Sequence, residues 1–110
     1  MRIYKVIFCA LVFMLCAGLH TGAINQSICN PGSNVVLYPD GSLKSCILKD
    51  YFRISGIECN KQSEISFYEG GLIESCILSK DTSISNQKCE QMTPISFYPT
   101  GEFRSCVKQE

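Results

Sequence analysis

The sequence predicts an all-β fold, in which three β-hairpin units of about 30 residues form an antiparallel meander or β-roll behind a helical signal peptide. Three observations carry that expectation. Cys29, Cys59 and Cys89 are spaced 30 residues apart, and so are Cys46, Cys76 and Cys106. Between the cysteines one phrase recurs: "VVLYPDGSLKSC" from Val35, "ISFYEGGLIESC" from Ile65 and "ISFYPTGEFRSC" from Ile95. Beyond the first 23 residues no stretch sustains a helical period.

The leading segment reads as an export signal. Arg2 and Lys5 form a short positive region, Val6 to Ala17 an apolar run, and Thr21 and Ala23 offer the small residues a signal peptidase prefers. The run is short for a membrane span, which takes roughly 20 apolar residues. The expected domains are therefore a signal peptide over 1–23 and a repeat domain over 24–110, with units of about 29–58, 59–88 and 89–110. An alternative anchors the chain as a lipoprotein through Cys16, although Leu15 stands where such sites want a small residue. The expected location is secreted, or periplasmic within the cell envelope.

Cleavage after Ala23 removes two of ten basic residues and none of ten acidic ones, giving a net charge of 8 − 10 = −2. That charge provides no basic footprint for nucleic acid and no polybasic patch for a membrane surface. The same cut removes Cys9, Cys16 and the single histidine, His20.

Each repeated phrase reads as a hairpin. In "YPDGS" Pro39 presets the first central turn position, Asp40 suits the second, and Gly41 takes the left-handed place of a G1 bulge. Gly71 and Gly101 fill the same place in the other copies, so backbone geometry accounts for the glycine column. The turn predicts a register in which Tyr38 faces Ser42, Leu37 faces Leu43 and Val35 faces Ser45. Strict alternation in copy two then puts Ile65, Phe67, Ile73, Ser75 and Ile77 on one face. Ser66, Tyr68, Glu74, Cys76 and Leu78 fall on the other, with Cys76 at or near Glu64. "ISGIEC" and "ISNQKC", from Ile54 and Ile84, suggest one further, weaker strand per unit.

The phrase from Phe67 to Ser75, repeated from Phe97 to Ser105, resembles the bacterial variant of MORN repeats. The unit here is longer and adds two cysteines. The resemblance implies a sheet-forming array used for contact with other molecules, and in some bacterial relatives an antitoxin-like or immunity role.

Six cysteines in a short exported chain read as a disulfide framework with 15 conceivable pairings. The repeat leaves two sets. Within-unit pairing gives Cys29–Cys46, Cys59–Cys76 and Cys89–Cys106; between-unit pairing gives Cys46–Cys59 and Cys76–Cys89 and strands two thiols. The first is preferred because it leaves no exported thiol free. Each such loop is worth on the order of 3 kcal/mol in the chain-entropy account, which matters for so thin a sheet.

Catalytic and metal chemistry find little support. With His20 removed there is no histidine base. No cysteine pair has zinc-finger spacing, the nearest two having twelve residues between them. Glu64, Glu69 and Glu74 surround a hairpin and show no sign of facing one another across a cleft. No cofactor is expected. The column Tyr38, Tyr68 and Tyr98 reads either as packing beside the turns or as a binding stripe for a protein or glycan, with Lys44, Glu74 and Arg104 alongside. The expected function is a non-enzymatic, disulfide-stabilised repeat protein with a binding or envelope-structural role. The alternative is a small secreted toxin, effector or inhibitor. Open strands at the two ends also make self-association through sheet edges an expectation.

Overall fold

The computed structural model describes residues 24–109. The expected signal peptide over 1–23 and the lipidation alternative at Cys16 lie outside the described residues. One 3-10 turn, Gln26–Ile28, opens the described chain, with Asn25 Oδ1 accepting from the Ser27 N–H at 2.7 Å as its cap. Everything regular after it is strand: β1 (Val36–Leu37), β2 (Leu43–Ile47), β3 (Phe52–Ile54), β4 (Ile57–Cys59), β5 (Glu64–Phe67), β6 (Ile73–Ile77), β7 (Thr82–Ile84), β8 (Gln87–Cys89), β9 (Pro94–Phe97) and β10 (Phe103–Cys106). The fold is all-β and antiparallel, as the alternation implied. Among the described residues no helix is long and apolar enough to cross a membrane.

Six strands make one sheet in the order β1-β2-β5-β6-β9-β10, which places the hairpins β1–β2, β5–β6 and β9–β10 side by side. Their turns close as the glycine column requires. Tyr38 N–H donates to Ser42 O at 2.8 Å, and Gly41 N–H to Tyr38 O at 2.9 Å, with φ +91° at Gly41. Gly101 repeats this at φ +96°. In the middle hairpin Gly70 and Gly71 both have positive φ, 105° and 100°. Positive φ at the second central position is the mark of a type II turn, which explains the additional glycine of this copy, Gly70.

The register departs from strict alternation. Phe67 lies opposite Ile73, but Ser66 lies opposite Ser75 and Ile65 opposite Cys76, so Glu74 is an extra residue on β6. The same irregularity falls at Lys44 on β2, where Leu37 faces Leu43 and Val36 faces Ser45, and at Arg104 on β10. A β-bulge of this kind inverts the faces beyond it. Cys76 and Leu78 therefore join Ile65, Phe67 and Ile73 in the core, while Ser75 and Ile77 turn outward. This corrects the face expected for those four residues, the Val35–Ser45 pairing and the placing of Cys76 by Glu64. It also gives the cysteines their function, because only on the buried face can they reach their partners.

The linkers correct a second expectation. Each forms a complete hairpin rather than one strand: β3 pairs with β4 and β7 with β8. Their two-residue turns, Ser55–Gly56 (φ 54° and 80°) and Ser85–Asn86 (φ 50° and 63°), have the two left-handed residues of a type I′ turn. Asn tolerates that conformation and Ser does so less readily. The chain then returns to the sheet. Cys59 bridges Leu78, with Asn60 N–H donating to Ile77 O at 2.7 Å and Ser79 N–H to Glu58 O at 3.0 Å. The tail of β6 thus pairs with the end of β4 after β5 has diverged. Cys29 and Leu48, and Cys89 and Lys108, repeat this bridge in the outer copies.

The core lies on one face of the large sheet. Leu48, Cys59, Ile65, Phe67, Leu78 and Ile95 have no exposed surface. Burying a side chain such as Phe67 contributes about 2–3 kcal/mol. Neighbouring units are also tied through the backbone: Leu48 N–H donates to Ser63 O at 2.9 Å and Leu48 O accepts from Gln62 N–H at 2.9 Å. Leu78 repeats the pair with Thr93 O and Met92 N–H, at 3.0 and 2.8 Å. To present those donors Gln62 and Met92 take left-handed backbone, φ 60° and 61°.

Candidate functional site

The cysteines pair within units. Cys29–Cys46, Cys59–Cys76 and Cys89–Cys106 have Cα separations of 5.8, 5.8 and 5.6 Å, well inside the range a disulfide spans. Each joins the segment entering a hairpin to that hairpin's second strand, across the buried face. Three disulfides in so small a chain belong with an oxidising compartment.

The opposite face of the large sheet faces solvent, and three rows of side chains cross it. The central row follows the register: Ser45 pairs with Ser66, Ser66 with Ser75, Ser75 with Ser96, and Ser96 with Ser105. Neighbouring strands lie about 4.8 Å apart, so the hydroxyls repeat at that interval along the array. At its end Ser96 Oγ and Ser105 Oγ are 3.0 Å apart and share a hydrogen bond. The sequence hinted at this row in the column Ser45, Ser75 and Ser105, but strict alternation put Ser66 and Ser75 on opposite faces. The bulge brings them together.

One flanking row holds the tyrosines. Tyr38 Oη donates to Phe67 O at 2.7 Å, and Tyr68 Oη donates to Phe97 O at 2.7 Å. Each of these tyrosines therefore reaches from its own turn to the next hairpin. Lys44 Nζ sits 5.7 Å from the centre of the Tyr38 ring and the Arg104 guanidinium 5.8 Å from that of Tyr98, both within cation–π reach. Among the described residues no hairpin follows β9–β10, and Tyr98 is 48% exposed. Burial, and then the carboxylates of Glu74 and Glu69, raise the Tyr38 phenol above the ordinary tyrosine value. Glu69 and Glu74 thus surround the tyrosine row, whereas Glu64 lies opposite Ile47 in the other flanking row, where Ile77 faces Pro94.

The turns are secured locally. Asp40 accepts from both the Ser42 hydroxyl (2.6 Å) and the Ser42 N–H (2.9 Å), and these bonds hold its carboxyl below the usual range. Among the described residues no group of three or more His, Cys, Asp or Glu side chains is placed to hold a metal ion. A cavity of about 400 Å³ lies at the β1 end of the sheet, between Ser33, Asn34, Val36, Ser45, Ile47 and Glu64. The sequence had no signal for it, because it depends on β1 being two residues long. Elsewhere Glu58 accepts from the Ser79 hydroxyl at 2.7 Å and lies 3.8 Å from both Arg53 and Lys80. These contacts brace the β3–β4 hairpin against the end of β6.

Compared with family models, curated proteins and solved structures, the chain matches none.

Proposed function

We propose that the protein is an exported, non-enzymatic binding module, a three-unit repeat array of MORN-like hairpins that acts in the extracellular space or cell envelope. One observation carries this reading: each hairpin is tied to the segment entering it by its own disulfide on one face, while the other face presents an ordered surface of hydroxyls flanked by tyrosines. A disulfide in every unit staples each hairpin locally to the segment that enters it, which suits a rigid contact surface. Tyrosine and small polar side chains are residue types favoured where a surface meets a protein or a glycan. The tyrosine column serves in this reading as a contact row through its rings, since two of its three hydroxyls are engaged within the chain.

The test uses the chain exported by its expression host, after its N-terminus and cystine pairing are determined. It is immobilised and challenged separately with envelope polysaccharide and with envelope protein of the producing organism, beside a Ser66→Lys/Ser75→Lys variant that places charge in the middle of the row. Retention of one class that the variant loses supports the reading. Equal retention by the variant, or hydrolytic turnover that co-purifies with the chain, overturns it.

A further inference from the structure

We propose that the two ends of the array are complementary, so that β10 of one copy pairs with β1 of a second and the chain associates head to tail. The inference rests on the repeat-array reading above and specifies a partner for it. The observation behind it is a contact the molecule already makes twice. At β2–β5 and again at β6–β9 the same register joins successive hairpins: Ser45 to Ser66 and Cys46 to Ile65, then Ser75 to Ser96 and Cys76 to Ile95. A tyrosine hydroxyl crosses each junction, and a Leu backbone pair closes it.

At the β10 edge the donating half of this junction is complete and has no partner among the described residues. β10 is a terminal strand of the sheet. Among the described residues the Tyr98 hydroxyl makes no hydrogen bond, where its counterparts each bind a carbonyl of the next hairpin. Lys108 occupies the place of Leu48 and Leu78. Its bridge to Cys89 uses the Val107 carbonyl and the Gln109 N–H, at 2.8 and 3.0 Å, leaving the Lys108 N–H and carbonyl directed outward.

The accepting half is present at the other end. β1 is the opposite terminal strand, and Val36 and Leu37, in the places of Ser66 and Phe67, are 45% and 42% exposed. Together with Tyr98 (48%) and Val107 (44%), they put four of the exposed large apolar side chains on the two edges that the proposal joins. Superposing the junction pairs Ser105 with Val36 and Cys106 with Val35, and brings the Tyr98 hydroxyl to the Leu37 carbonyl of the next copy. Gly32 stands where Gln62 and Met92 take left-handed backbone to donate to the preceding unit. In the free chain the Gly32 N–H rests on Asn30 Oδ1 at 3.1 Å, and glycine can turn to the left-handed conformation at little cost. Such a contact is heterologous. Because it repeats the junction already inside the chain, it extends the sheet into a linear array rather than closing a symmetric dimer.

Sedimentation velocity of the exported chain, from micromolar to millimolar concentration, reads the association. Lys108→Pro removes an outward donor from the β10 edge and Val35→Pro removes one from the β1 edge. Far-ultraviolet dichroism and a cystine map confirm that each variant is folded. Wild type is expected to grow in mass with concentration, each variant alone to stay monomeric, and an equimolar mixture of the two to form a dimer through their intact ends. Tyr98→Phe, which breaks no hydrogen bond among the described residues, is expected to weaken association by roughly 2- to 10-fold, the net worth of one hydrogen bond; it keeps the test decisive if a proline variant misfolds. A wild-type chain that stays monomeric throughout, or a Val35→Pro variant that dimerises alone through β10, overturns the proposal. Binding to envelope material by such a monomer would leave the functional reading standing, so the two can fail separately.

Discussion

Replacing Tyr68 with Phe isolates the contact that couples one hairpin to the next. The ring stays, and with it the apolar packing; only the hydroxyl that donates to Phe97 O at 2.7 Å is lost. A hydrogen bond of this kind contributes about 0.5–1.5 kcal/mol net, and the half-buried site puts Tyr68 near the middle, at about 1 kcal/mol. For a chain of this size the urea dependence is about 1 kcal/mol per molar, so the unfolding midpoint should fall by about 1 M with the slope unchanged. Tyr38→Phe removes the equivalent bond to Phe67 O and should behave alike. Tyr98→Phe removes a hydroxyl with no partner among the described residues and should shift stability by no more than about 0.3 kcal/mol, as ordinary surface changes do. The series is measured by urea unfolding with disulfides intact, at micromolar concentration where association does not contribute. Tyr98→Phe costing as much as Tyr68→Phe would refute the reasoning, because stability would then follow the ring's local setting and not the junction.

Four further outcomes follow from particular residues. Full reduction should abolish the native dichroism, since three loops at about 3 kcal/mol each rival the whole stability of a domain this size; under graded reduction, thiol mapping should find Cys89–Cys106 opening first, because Cys106 is only half-buried while the other five disulfide-bonded cysteines of the described residues are buried. Met92→Gly should raise stability by up to about 1 kcal/mol in denaturant titration, because glycine takes the φ of 61° without the penalty a side chain incurs. Asn86→Gly, at φ 63° in a type I′ turn, should raise it by about 0.5 kcal/mol in the same assay. Tyr38 keeps its proton to higher pH folded than unfolded, so its contribution is whole below about pH 10 and declines as pH rises through the native value; an alkaline unfolding series should show that decline flattened in Tyr38→Phe.

Local chemistry made much of this molecule legible in the sequence. Gly41 and Gly101 mark turns because only residues free of a Cβ sit easily at φ above 90°. The cysteine period could be read, and the pairing narrowed to two sets, because equivalent positions in a repeat meet equivalent surroundings. The serine row, the tyrosine hooks and the linker hairpins were not legible in the same way. Ser55–Gly56 is a recognisable turn pair, but Ser85–Asn86 is a weak one, and its hairpin is held by the return of Cys89 to the sheet beside Lys108.

The sequence by itself determined that strands alternate with tight turns in three similar copies, and it narrowed six cysteines to two symmetric pairings. The tertiary structure decided which way the second strand of each hairpin faces. One extra residue at Lys44, Glu74 and Arg104 inverts the alternation. The inverted register is held by bonds to the next hairpin and by a disulfide to the preceding segment, interactions between residues far apart in the chain that no local pattern can express.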